Sequence, residues 1–575
     1  MSSLQHLLDQ LRLRLSAHDA LGLMALLAVL CGLATGGVIL GFRWVVESSQ
    51  TGLLGGPEQF WALPAHWRVL LPVIGGALIG LMLQWLRPEH RGTGVVHVME
   101  RLGYHQGYMS WRNAAAQFVG ASTALISGHS VGREGPAIHL GAASGSLLGQ
   151  RLGLPNNSLR TLVACGVAGA IGATFNTPLA GVIFAMEVVM LEYTLSGFLP
   201  VMLSAVTATV VTQLVYGNTP AFSVPAVHLE SLGELGWLLV CGLLIGTLAA
   251  AFIQSLMFFS NSLTRWPLAA RTTLAGLAVG LIGLALPEVM GVGYETVNLI
   301  LLGEVATITL VALVAAKLLA STLAVGLGIP GGLIGPTVVI GAAAGGLLGQ
   351  AAQALFPEMA SEPSLYVMLG LGAMMGATLR APLAALTAML ELTANPNIIL
   401  PGMLTIATAV LCSGELFGKD SVYLHQLRRR GLDFRSDPLL QKLSRLGIVR
   451  IMDRRLTTLP RQVSRTALEA ALDQQPRWIL LLGETPDKAP LALVPVADVL
   501  HHLQTDPQSE VDLLAIPAKR LEPASIEYRA SLREALALFQ EREAEALCVV
   551  KTVAPGIQHH LGVVTRQELE YQYLH

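Results

Sequence analysis

Two stretches of this chain are copies of one another. Gly135-Pro136, then Gly141-Ala142-Ala143 and Leu147-Leu148-Gly149-Gln150, recur as Gly335-Pro336, Gly341-Ala342-Ala343 and Leu347-Leu348-Gly349-Gln350, 200 residues on (Pro136 to Pro336). Gly172-Ala173-Thr174, Pro178-Leu179-Ala180 and Glu187 recur as Gly376-Ala377-Thr378, Pro382-Leu383-Ala384 and Glu391, 204 residues on (Pro178 to Pro382). Chance likeness between apolar helices does not keep Gly, Pro, Gln and Glu at these spacings. The chain therefore contains one unit twice.

Each copy begins at a glycine-rich break, Gly128 to Pro136 and Gly328 to Pro336. Proline at the first turn of a helix loses no hydrogen bond. Such a start leaves backbone N–H groups free at the positive end of the helix dipole. Two starts aimed at one point would make an anion site without a fixed cation. Partial charges also let an anion leave, which transport requires. The first break holds the charged pair Arg133-Glu134 within apolar sequence, and an ionisable residue at membrane depth is a functional-site hypothesis by default.

Only 13% of the residues are charged and 53% are hydrophobic, against about 25% charged in soluble domains. Apolar runs of spanning length recur from about residue 20 to about residue 418. The membrane part runs through 20–50, 69–86, 113–127, 159–190, 198–216, 235–259, 270–290, 305–327, 365–392 and 398–418, and several of these segments are too short, or too often interrupted by Gly and Pro, to be simple spans. Broken segments at matching places in two halves point to a transport site between inverted repeats. The expectation is an all-α polytopic membrane protein with two inverted repeats over 20–430 and a soluble α/β domain over 437–575. Residues 1–19 read as an amphipathic surface helix, with Leu4, Leu7, Leu8 and Leu11 at helical spacing. Arg428-Arg429-Arg430 after the last span places that end in the cytoplasm, and both termini with it. A net charge of −2 argues against nucleic acid as a partner. The cysteines at 31, 165, 241, 412 and 548 show neither metal nor disulfide spacing.

Gly132-Arg133-Glu134-Gly135-Pro136 is identical to the GREGP motif of the CLC chloride channels and chloride/proton antiporters. Gly332-Leu333-Ile334-Gly335-Pro336, Phe175 to Gly181 and Asp420 to Tyr423 also resemble that family, over about 20–430. The resemblance implies chloride transport, a homodimer with one pore per subunit, and a bacterial inner membrane. It makes Glu134 the gate, a tethered carboxylate that imitates the anion. It implies chloride binding at Thr93, Gly132, Arg133, Gly135, Leu333, Ile334 and Tyr423. Thr93 stands where the family's first motif has serine and keeps a hydroxyl. Antiporters often carry an internal proton-relay glutamate just after the position of Glu187; here Val188 stands there and cannot hold a proton. That favours a pH- or voltage-gated chloride channel, with a chloride/proton antiporter using a water path as the alternative. The tail resembles a pair of CBS domains, which often bind adenine nucleotides, although no ribose or phosphate signature is visible. No resident cofactor or metal is expected, and His559-His560 reads as a solvated loop.

Two rival readings follow from the same residues. Gly128-His129-Ser130-Val131-Gly132 fits the G-x-S-x-G elbow of serine hydrolases, which also needs a preceding strand and Asp and His partners. An inverted-repeat transporter of organic solutes is the other, and helix starts suited to an anion alone argue against it.

Overall fold

The computed structural model describes residues 21–574 apart from 194, 219–221, 223, 226–227, 433–442, 445, 484–489, 506–509 and 555–556. The reading of 1–19 lies outside these residues. The chain separates into two compact units, one built on Ala25–Gln150 and Arg160–Phe434, the other on the C-terminal region from Arg435.

The larger unit is helical throughout. Its first half runs α1 (Leu21–Leu54), α2 (Ala65–Trp85), α3 (Gly94–Tyr104), α4 (Trp111–Ile126), α5 (Glu134–Leu152), α6 (Asn156–Phe175), α7 (Pro178–Phe184) and α8 (Leu195–Tyr216). The second half repeats the series as α9 (Leu235–Asn261), α10 (Leu268–Ala285), α11 (Tyr294–Leu301), α12 (Thr307–Gly326), α13 (Ile334–Leu355), α14 (Pro363–Leu379), α15 (Pro382–Thr393) and α16 (Ile399–Leu411). α17 (Val422–Arg429) follows. Among the described residues, nine helices are long and apolar enough to cross a membrane.

Two of the apolar runs are broken within their length. The run over 159–190 ends its first helix at Phe175, and Asn176 turns left-handed at φ 62°. The run over 365–392 does the same at Arg380, φ 55°. Pro178 and Pro382 then open α7 and α15. Proline disfavours helical backbone in the residue before it, so hydrophobicity continues while the helix does not. The short helices α3 and α11 were absent from the expected spans because their apolar stretches are below spanning length.

The halves interlock as equals. α2 and α10 cross where Gly76 meets the backbone of Thr272 and Gly276 meets that of Pro72, the close approach that small residues permit in membranes. Glu187 accepts hydrogen bonds from Leu383 N (3.2 Å) and Ala384 N (2.7 Å) at the start of α15. Glu391 accepts from Leu179 N (2.9 Å) and Ala180 N (2.7 Å) at the start of α7. Each repeat thus caps the other's broken helix with a carboxylate at the positive dipole end.

The C-terminal unit is itself duplicated. Parallel β1 (Leu456–Pro460) and β3 (Trp478–Leu482) are joined by antiparallel β4 (Pro490–Pro495). Parallel β6 (Pro523–Glu527) and β7 (Ala546–Ala554) are joined by antiparallel β8 (Ile557–Thr565), while β2 (Gln462–Ser464) pairs with β5 (Glu510–Asp512). A buried cluster of Trp478, Leu480, Leu493, Cys548, Val550 and Val563 draws on both halves. This arrangement is consistent with a CBS-like pair. His559 and His560 lie in β8 rather than in a loop, and His560 Nδ1 is 3.2 Å from Cys548 Sγ.

Candidate functional site

The two breaks have the same backbone. Gly128 and Gly328 turn left-handed, at φ 80° and 110°. His129 N donates to Ala124 O and Ile329 N to Ala324 O, each at 3.0 Å. Val131 N bonds His129 O and Gly331 N bonds Ile329 O, each at 2.9 Å. The breaks then pair with one another: Gly132 N donates to Gly332 O (2.8 Å) and Gly332 N to Gly132 O (2.7 Å), an isolated antiparallel bridge. The starts of α5 and α13 are thereby held against each other. No side chain fits between them, since a Cβ on Gly332 would stand 2.6 Å from Gly135 N.

Glu134 sits at the first turn of α5 and is 1% exposed. Its Oε2 accepts from Gly335 N at 3.0 Å, at the start of the other repeat's helix. Its Oε1 accepts from the Tyr294 hydroxyl. The carboxylate occupies a place that suits an anion, a helix N-terminus plus a hydroxyl donor.

Cavities lie on both sides of the paired breaks. One, of about 470 Å³, is lined by Arg43, Glu47, Glu58, Arg133, Phe175 and Tyr294 among others. The Arg133 side chain pairs there with Glu47 (3.5 Å) and lies over the Tyr294 ring (5.0 Å to its centroid). The other, of about 310 Å³, is lined by Thr93, Gly135, Leu333, Tyr423, Arg271 and Arg430 among others. Thr93 is the N-cap of α3 and makes no capping bond with its side chain. The Tyr423 hydroxyl is buried without a hydrogen-bond partner among the described residues. Gln117 ties the two repeats behind this cavity, accepting from Gly94 N (2.6 Å) and donating to Pro330 O (3.3 Å).

Most of the site residues named from sequence thus fall into three places. Glu134 and Gly132 lie at the pairing of the breaks, and Arg133 lines the first cavity. Thr93, Gly135, Leu333 and Tyr423 line the second. Ile334 is buried at the first position of α13. Val188 is 2% exposed in a π-helical segment, Ala185–Met190, that packs against α3.

Sequence reasoning missed three residues here. Lys317 is fully buried in α12 and donates to Val289 O and Gly291 O, both at 2.9 Å. Glu58 accepts from Gly293 N (3.0 Å) and Tyr294 N (3.2 Å). Together they brace the turn that delivers Tyr294 to Glu134. A lone lysine inside an apolar run was the available signal; Glu58 and Tyr294 gave none.

The hydrolase reading fails on geometry. Ser130 Oγ is buried against Ser321 Oγ at 2.9 Å, and His129 Nδ1 is engaged by Ser127 Oγ at 2.9 Å. Among the described residues no strand precedes the serine.

Residues 75–414 match the family model described as voltage gated chloride channel. The chain is 33% identical to a putative chloride channel protein, ClcB-like, of Ralstonia nicotianae, over 71% of this chain and 97% of that one. It is 32% identical to the H(+)/Cl(-) exchange transporter ClcA of Vibrio cholerae, over 61% of this chain and 77% of that one. Among solved structures, a slow cyanobacterial Cl-/H+ antiporter superposes with a TM-score of 0.64 at 24% identity, over 71% of this chain and 97% of that one. A eukaryotic CLC transporter superposes with a TM-score of 0.61 at 18% identity, over 95% of this chain and 97% of that one. With the duplicated fold, the paired helix starts and a family model that matches more than half its length, the chain belongs to the CLC family of chloride channels and transporters, and it is not an enzyme.

Proposed function

We propose that this protein exchanges chloride for protons across a membrane, with Glu134 as the group that both ions use. The observation that carries this reading is the Glu134 carboxylate bound to Gly335 N between two cavities. A carboxylate in an anion's place blocks the path while ionised. Protonation removes its charge, weakens its hold on the helix start, and lets chloride replace it. Release of that proton on the other side re-ionises the side chain, and its return to the helix start then expels chloride. Thr93, Leu333 and Tyr423 would hold chloride from the second cavity, with the Tyr423 hydroxyl as donor. Gly132, Arg133, Gly135 and Ile334 supply backbone around the same place. The exchange activity named for the Vibrio cholerae relative supports this reading.

A gated chloride channel is the second reading, favoured by Val188 at the usual relay position and by the name of the Ralstonia relative. In either case Arg428, Arg429 and Arg430 would face the cytoplasm. A homodimer in a bacterial inner membrane accompanies both readings.

The deciding experiment uses purified protein in liposomes under a chloride gradient with no proton gradient. Exchange predicts uphill proton movement that disappears in Glu134→Gln while chloride flux persists. Chloride flux with no proton movement in the unaltered protein would establish the channel instead.

A further inference from the structure

Resting on the exchange reading, we propose that the buried pair His97–His139 carries protons between the second cavity and Glu134, replacing the carboxylate that Val188 lacks. His97 lies one turn into α3, four residues after the cavity-lining Thr93. His139 lies on α5, five residues after Glu134, or about 7.5 Å along the helix axis. His97 Nδ1 and His139 Nε2 are 2.9 Å apart. The rings stack with centroids 5.1 Å apart. Both side chains are buried, at 3% and 0% exposure.

Two features go beyond packing. His139 Nδ1 is buried with no hydrogen-bond partner among the described residues, although buried polar atoms are nearly always paired. And α3 is the helix that packs on the segment carrying Val188, so the imidazoles lie one helix from the usual relay position. The charged and titratable groups around His97 are His139 on α5, Arg101 on α3, His105 just after α3, and Arg430 beyond α17. Arg430 is paired with Glu100 at 2.8 Å.

The relay balances. A proton arrives at His97 Nε2, and the Nδ1 proton of His97 passes to His139 Nε2. The Nδ1 proton of His139 then leaves toward Glu134 across a water-bridged step. Each ring gains one proton and loses one, and exchange of ring protons with water restores the starting tautomers. Imidazole can do this because it has two nitrogens; an amide cannot.

The test compares the full chain with His97→Gln and with His139→Gln in liposomes, recording chloride efflux and chloride-driven proton uptake together. Glutamine keeps a hydrogen-bonding side chain of similar reach. The expected result is retained chloride efflux with proton uptake reduced at least about a hundredfold, the scale of a lost general acid–base group. Val188→Glu added to His139→Gln should restore proton uptake, a rescue that a merely structural role would not give. An unchanged proton-to-chloride ratio in both glutamine variants would overturn the relay and leave exchange standing. No proton uptake in the unaltered protein would overturn exchange, and the relay with it.

Discussion

The breaks that end at Gly132–Pro136 and Gly332–Pro336 share a left-handed opening glycine, hydrogen bonds and proline placement, yet one carries Arg133-Glu134 and the other Leu333-Ile334. The backbone device is therefore symmetric and the chemistry is not. Two positive helix ends suit an anion from either side. Only the first break carries a carboxylate that can take a proton, and that group reaches across to the second repeat's Gly335. Duplication built the site, and divergence at two positions made it directional.

The largest expected effect comes from erasing that divergence. Glu134→Ile gives both breaks an apolar residue at the same place. Proton coupling should vanish and chloride flux should lose its pH dependence, as read by paired chloride and proton electrodes. Retained coupling would mean the asymmetry lies elsewhere.

Gly332→Ala attacks what the breaks share. The added Cβ would stand 2.6 Å from Gly135 N and 2.9 Å from Gly132 O. Backbone lies on both sides, so relief requires the bridge to open. The loss should approach about 3 kcal/mol, the upper end for overpacking, seen as a lower melting temperature in detergent with reduced chloride flux.

Tyr294→Phe tests how Glu134 is held. A hydrogen bond to a charged group contributes about 1.5–3 kcal/mol. Its loss should raise uncoupled chloride leak roughly tenfold or more, since about 1.4 kcal/mol is a factor of ten in a population. The proton-to-chloride ratio falls accordingly.

Glu187→Gln and Glu391→Gln give the smallest effect and probe where symmetry persists. Each removes a charge from a helix N-terminus, worth about 0.3–1 kcal/mol, or up to about 2 when partly buried. The two melting shifts should be equal. A clear difference would show that matched geometry hides unequal energetics.

Much of this architecture was legible in the chain. The repeat, the helix starts and the role of proline followed from Gly and Pro spacing, because these residues act on their own backbone. The positions of Glu187 and Glu391 were visible at equivalent places, but their caps were not, since each acts on a segment about 200 residues away. Where the runs over 159–190 and 365–392 break was not legible, because their hydrophobicity runs on through a break whose freed backbone groups are satisfied by distant side chains. Tyr294 carried no signal at all, being an ordinary aromatic in a glycine-rich turn. His97 and His139 are unremarkable singly, and only the packing of α3 on α5 brings their nitrogens together.

The sequence by itself determined a duplicated helical membrane protein with an anion-suited break in each half and a single carboxylate between glycines. Those properties belong to local backbone preference and to hydrophobicity, which adjacent residues set. Only the tertiary structure decided that the two breaks pair, that Glu134 rests on Gly335 and Tyr294, and that separate cavities flank them. Contacts between residues 160 and 201 apart in the chain depend on how helices cross, and crossing is decided by the packing of all of them at once.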